Sequence, residues 1–295
     1  MKKYKDLIKL LLSFIIFFFA SYLLVIFIKY GLKIDISNIE YHGLAIIQLI
    51  LSFLSTVLYT LLYFDVIKSS FNNLSKNGKR LTHFISAVVI GFIALYVTQI
   101  IANYLENILF FLAGIERDIV ENQRLVDELL GSAPIITIIS ACLLGPIEEE
   151  LLFRGAIGQV LKNKKVFITV SGLIFGLVHV TDSIMLIGEL ILLGIVIDFI
   201  LSNNKINNHK KKMLSVISTV LILLIFACLY YFEFGNLIHV ITNLDMVEVI
   251  GGLTYVLMGI VISSLYVYND RNILINIGIH ASSNIMVVII ALCLK

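Results

Sequence analysis

Charge is scarce in this 295-residue chain: only 14% of its residues are Asp, Glu, Lys or Arg. An average soluble domain is roughly a quarter charged, so the polar surface of a water-soluble fold is missing. Cysteine is also rare. Cys142, Cys228 and Cys293 stand in apolar runs without paired spacing, which argues against a disulfide or cysteine-metal framework and reads as small buried hydrophobes. The net charge of +2 gives no footing for nucleic acid as a partner. Proline occurs twice, as Pro134 at the head of an apolar run and Pro146 inside it. What the chain has in abundance is apolar sequence, with 59% hydrophobic residues and a mean hydropathy of +1.01. Its apolar runs approach the ~20 residues that cross a hydrocarbon core of roughly 30 Å. The fold class is therefore all-α, a polytopic bundle of transmembrane helices.

The runs predict about eight or nine spans: Leu7 to Ile28, Gly43 to Phe64, Phe84 to Tyr104, Ser132 to Leu161, Val166 to Thr181, Ile184 to Ser202, Met213 to Phe232, Gly251 to Tyr268, and Ile273 to Cys293. The apolar stretch Ile108 to Ile115 is too short to span. The run after Lys2, Lys3 and Lys5 is too long for a signal peptide and ends without a small-residue cleavage site, so it reads as a retained helix. Alternate loops divide the basic residues sixteen against five, with Arg154 on neither side. The richer set holds Lys68, Lys76, Lys162, Lys210 and Arg271, so the N-terminus is expected in the cytoplasm and the C-terminus outside. The acidic loop Glu116 to Glu128 then faces outward. No linker, low-complexity tract or repeat interrupts a single membrane domain. Within it, residues 1–131 form N-terminal helices with that acidic loop, and residues 132–295 form a core with an inserted helical pair near 184–248.

Ionisable groups inside a span are costly unless they face protein or water, so they are functional candidates. The fourth span holds Glu148, Glu149, Glu150 and Arg154. Glu150 and Arg154 stand four apart, share a helix face and can pair. Glu149 points about 100° away and is left out of that pair. Were the stretch at a membrane boundary, these charges would simply be solvated, but apolar helix continues past Gly155. Of six histidines, His42, His83, His209 and His239 fall in or beside loops. His179 and His280 lie in apolar spans, with Phe175 four residues before the first and Asn284 four after the second. Counted from the basic side at ~1.5 Å per residue, Glu149, His179 and His280 lie roughly 18, 20 and 10 Å deep. One buried site reached from the cytoplasmic side can gather them. Glu189 and Asp198, between His179 and Gly251, read as a packing or cavity-lining group and a boundary residue.

At these residues the sequence resembles the CPBP intramembrane proteases, the Abi-type family that includes the type II CAAX prenyl endopeptidases. Its motifs E-E-x-x-x-R, F-x-x-x-H and H-x-x-x-N appear in order as Glu149-Glu150 with Arg154, Phe175 with His179, and His280 with Asn284. The neighbours Pro146-Ile147 and Phe153-Arg154-Gly155 match as well. The resemblance covers roughly residues 132–180 and 251–284. About 70 residues between His179 and Gly251, with two further apolar runs, exceed the spacing expected of compact members.

The resemblance implies an intramembrane endopeptidase acting on a membrane-associated or lipidated peptide or protein, with membrane lipid around it. Glu149 is then the general base that activates water, and His179 holds or polarises that water. His280 and Asn284 donate to the oxyanion, while Arg154 orients Glu150. Glu149, His179 and His280 could instead hold zinc with an open position. H-E-x-x-H is absent, so metal-free water activated by glutamate stays open beside it. Bacterial relatives suggest a bacterial cell membrane. Rival readings are a non-catalytic membrane scaffold or regulator, a bacteriocin-immunity protein of the same fold, and a transporter. A transporter should show paired broken helices in two halves, where only Pro146 marks a break.

Overall fold

A computed structural model describes residues 5–14, 16–17, 29–30, 33, 39–75, 80–180, 194 and 245–293. Helix α1 covers residues 5–14. It is followed by α2 (Tyr41–Leu62), α3 (Phe64–Ser75), α4 (Arg80–Ala113) and α5 (Glu121–Ser132). A continuous helical run at residues 134–160 is α6, and α7 (Lys164–Leu177), α8 (Met246–Tyr268) and α9 (Ile273–Cys293) complete the described chain. The described residues contain no strand. Four helices (Tyr41–Leu62, Leu81–Ala113, Met246–Tyr268 and Ile273–Cys293) are long and apolar enough to cross a membrane. The chain is an integral membrane protein. The expected spans Ile184 to Ser202, apart from residue 194, and Met213 to Phe232 lie outside the described residues, as does most of Leu7 to Ile28. The inserted pair, Glu189 and Asp198 go with them.

Helix ends follow local chemistry. Pro134 opens α6, where its missing N–H costs nothing. Asn163 caps α7 by accepting from the amides of Lys165 and Val166, and Asp245 caps α8 by accepting from Val247. Asn272 accepts from Leu274 and Ile275 at the head of α9. The turn before it places Asp270 and Arg271 at positive φ, and Arg271 donates to the carbonyls of Gly158, Leu161 and Lys162. One sequence expectation is corrected here. The run at 84–104 and most of the short apolar stretch at 108–115 are not separate, because α4 runs unbroken for 34 residues from Arg80 to Ala113. Neither Gly nor Pro intervenes, and Glu106 turns inward to accept a hydrogen bond from Thr254 of α8 instead of ending the helix.

The bundle is held most tightly where α7 meets α8. A Cβ on Gly172 would stand 2.9 Å from the Ile260 Cα, and one on Gly176 would stand 2.6 Å from the Val256 Cα. Without side chains there, the two backbones touch, as small residues permit between membrane helices. The second half of α6 lies at the centre of the apolar core. Leu151, Leu152, Phe153 and Ile157 pack with Phe167 and Phe175 of α7, Tyr266 of α8 and Ile273 of α9.

Candidate active site

The acidic stretch sits in a helix that is not regular. In α6 the hydrogen bonding widens to five-residue steps at Ser140–Leu144 and again at Glu150–Ala156, on either side of Gly145–Glu149. Such wide turns leave main-chain carbonyls without their usual partner, and they occur often at functional sites. The Gly145 N–H donates to Ser140 O, so it skips Ala141, and Pro146 has no N–H to offer. Asn284 of α9 supplies the missing donor, its Nδ2 reaching Ala141 O at 2.8 Å. At the second wide turn the Ile157 N–H turns to Leu152 and Arg154, skipping Phe153 O. There Ser171 of α7 donates at 2.8 Å and in turn accepts from Ser263 of α8. Each irregularity of α6 is thus completed by a side chain from a neighbouring helix.

Glu150 and Arg154 pair at 3.0 Å, and both side chains are 0% exposed. The same Glu150 Oε1 accepts from His280 Nδ1 at 3.0 Å, and Oε2 accepts from Asn276 Nδ2 at 3.1 Å. Arg154 also donates to Gly259 O, and its guanidinium lies 4.5 Å from the centre of the Phe175 ring. A buried ion pair is favourable only when such further partners satisfy both ions. Here α7 supplies the ring, α8 the Gly259 carbonyl and α9 both His280 and Asn276, while Arg154 Nε makes no hydrogen bond.

Glu149 points elsewhere. Its Oε2 is buried and makes no hydrogen bond, and it stands 3.6 Å from His179 Nε2 and 3.8 Å from His280 Nε2. The ring orientations follow from the other nitrogens. His179 Nδ1 lies 2.7 Å from Phe175 O, which can only accept, so Nδ1 carries the hydrogen. His280 Nδ1 likewise donates to the Glu150 carboxylate. Both imidazoles therefore turn Nε2 toward one carboxylate oxygen. His179 is steadied by Tyr255, whose ring stacks on it at 4.8 Å and 14°. Glu148 faces α2, where Ser55 and Thr56 both donate to its Oε1. A cavity of about 940 Å³ contains Glu148, Glu149, His179, His280 and Asn284.

All six residues singled out from the sequence thus meet in one place. Two nitrogens and a carboxylate oxygen are donor types that zinc accepts. Glu149, His179 and His280 are the residues that would hold such an ion, although a search of the described residues finds no group of three or more His, Cys, Asp or Glu set for one. Asn276, Tyr255, Ser55 and Thr56 escaped the sequence reading. Asn276 had a signal, since it stands four residues before His280 just as Asn284 stands four after. The other three are ordinary residues of apolar helices and carried none. The approach to the site also differs from expectation. Depth counting put it on the basic side, whereas the cavity extends along Gln99, Asn103 and Asn122 toward the opposite end.

Residues 131–243 match a family model described as type II CAAX prenyl endopeptidase Rce1-like. The match contains the first two motifs and stops short of His280 and Asn284. No curated protein and no solved structure matches the chain.

Proposed function

Starting from a chain that resembles the type II CAAX prenyl endopeptidases, a family of proteases, we propose an intramembrane endopeptidase that hydrolyses a peptide bond of a membrane-associated or lipidated substrate. One observation carries this reading: a buried carboxylate oxygen of Glu149, free of hydrogen bonds, faces two imidazole Nε2 atoms at 3.6 and 3.8 Å inside a cavity. A water between them gives its proton to Glu149 while its oxygen adds to the scissile carbonyl carbon. His179 orients that water. His280 in its imidazolium form, with Nδ1–H held by the Glu150 carboxylate, donates its second N–H from Nε2 to the oxyanion, and Asn284 donates its second amide hydrogen. Glu149 then passes its proton to the leaving nitrogen as the C–N bond breaks. Arg154 and Asn276 act through Glu150, fixing the His280 ring.

In this reading residues 132–295 form the catalytic core with its inserted pair near 184–248, and residues 1–131 build the wall that carries α2 and α4. The N-terminus is cytoplasmic, in a bacterial cell membrane. Trapping tests the reading. The Glu149→Gln protein, pulled down and analysed by mass spectrometry, should retain peptides or proteins that the wild type releases in cut form. Identical captures and uncut partners in both would favour a scaffold and end the protease reading.

A further inference from the structure

The cavity is not centred on Glu149. From the site it follows α4 and α8 to the end of the bundle where residues 115–120 join α4 to α5, and there Asn103, Glu106, Arg117 and Asn122 line it. The other end is tied together by Arg271 on the carbonyls of Gly158 in α6 and of Leu161 and Lys162 just after it, and by Asn272 on Ser70 O of α3. It contributes no described residue to the lining. Helix lengths explain this asymmetry. Helix α7 ends at Leu177, so His179 stands just past its last turn, while α4 runs on to Ala113 and α9 to Cys293. Among the described residues, the lining beyond His179 therefore comes from α4, α5, α8, α9 and residues 117–120.

The passage has a definite chemistry. Gln99, Asn103, Asn122 and Gln123 bring side-chain amides to it. Gln99 reaches Ser283 at 3.2 Å and Asn122 reaches the Tyr255 hydroxyl at 3.5 Å, so the row leads to the helices that carry the site. The Arg117 guanidinium is already engaged by Asn103, Asn107 and Glu106, and among the described residues no lysine lines the cavity. Gln99 spends its amide hydrogens on Met258 and Ser283, while Asn103, Asn122 and Gln123 each commit one, to Gln99 O, the Tyr255 hydroxyl and Asp127. The Gln99 side-chain carbonyl and the remaining N–H and C=O groups of the other three suit the alternating N–H and C=O groups of an extended peptide whatever its side chains.

We propose that the substrate is a peptide that enters from the end bearing residues 115–120, lies extended along these amides, and reaches Glu149 from that side. That end is opposite the basic loops, so the peptide is presented on the non-cytoplasmic face of the membrane. The proposal rests on the protease reading above and on the basic loops being cytoplasmic.

Thiol labelling separates the two premises. In a chain with Cys142, Cys228 and Cys293 replaced by Ser, single Asn103→Cys and Asn122→Cys residues should react from outside intact cells with a membrane-impermeant maleimide. Asp118→Cys should do so as well, and Lys162→Cys should react only in inverted vesicles. A cavity cysteine reached solely from the face that reaches Lys162→Cys overturns the proposal. So does Asp118→Cys reacting from that same face. If the triple serine chain fails to accumulate, Cys142→Ala replaces Cys142→Ser. In parallel, peptide ends made in membranes holding the wild type but not Glu149→Gln are mapped by mass spectrometry. They should fall on segments outside the cytoplasm, and cuts confined to cytoplasmic segments overturn the proposal. Outside labelling with no wild-type-dependent cut leaves the position of the mouth intact but refutes the peptide substrate and the protease reading together.

Discussion

Asn284 donates to the main-chain carbonyl of Ala141 at 2.8 Å, and the bond exists because a wide turn and a proline leave that carbonyl without a partner in its own helix. The distortion of α6 and the placement of Asn284 are therefore one feature. Asn284→Ala should cost ~10²–10³-fold in turnover through the lost oxyanion donor. Leaving this part-buried carbonyl unpaired should add destabilisation of at most about 1–3 kcal/mol. Kinetics and thermal denaturation in detergent, run side by side, check both effects. A stability loss with unchanged turnover would leave Asn284 a strut and remove it from the reaction.

The neighbouring acids should separate cleanly. Glu149→Gln keeps shape and hydrogen bonding but removes the base, so cleavage should fall by ~10²–10⁴-fold at unchanged protein level. Glu148→Gln should be mild, because a glutamine carbonyl still accepts from Ser55 and Thr56. Product formation normalised to membrane protein decides it. A collapse confined to the Glu148 variant would show that the wrong acid has been assigned.

Arg154→Ala strips the charge partner from a fully buried Glu150. Loss of one member of such a pair costs ~3–5 kcal/mol, and His280 and Asn276 remain on a carboxylate with no guanidinium. Protein yield should fall together with activity. Yield at the wild-type level, read by immunoblot of membranes, would contradict the network described here.

At the α7–α8 contact, Gly176→Leu forces a side chain onto the Val256 backbone. Overpacking of this kind costs about 1–3 kcal/mol, and the displacement should loosen His179 from Tyr255 at the end of the same helix. Lower thermal stability with a reduced kcat is expected. Gly114→Ala, at a positive φ with open space around it, should strain its own turn and leave kcat alone.

Full chelation should leave activity intact if Glu149 and the histidines activate water unaided. Elemental analysis of purified protein, paired with activity before and after chelation, checks this. About one equivalent of zinc, released by His179→Ala together with activity, would instead assign the water to a metal.

Much of this site could be read before any coordinates. Four-residue spacings put Glu150 with Arg154 and His280 with Asn284, and helix periodicity set Glu149 apart, because neighbours on a helix diverge by about 100°. The bounds of α9 follow from the apolar run between Arg271 and the chain end. The wide turns of α6 could not be read, since they arise from which amide meets which carbonyl, and the sequence shows only Pro146. Tyr255 and the hydroxyls of α2 reach the site from helices far away in sequence, where spacing rules have no purchase. Depth counting and the cavity lining point to different ends of the bundle for a physical reason: depth counting locates a residue along the membrane normal but says nothing about where neighbouring helices stop.

The position of Arg154 also bears on how the protein is made. Its counter-ion lies four residues earlier on the same helix, whereas Asn276 and His280 come 126 and 130 residues after Glu150. Helix α6 can leave the ribosome and enter lipid with its charge already balanced, long before the rest of the network has been synthesised. Asn276 and His280 arrive only with α9, so a chain cut before it carries a tolerable pair of charges without these two partners. On the protease reading, activity waits for the synthesis of α9.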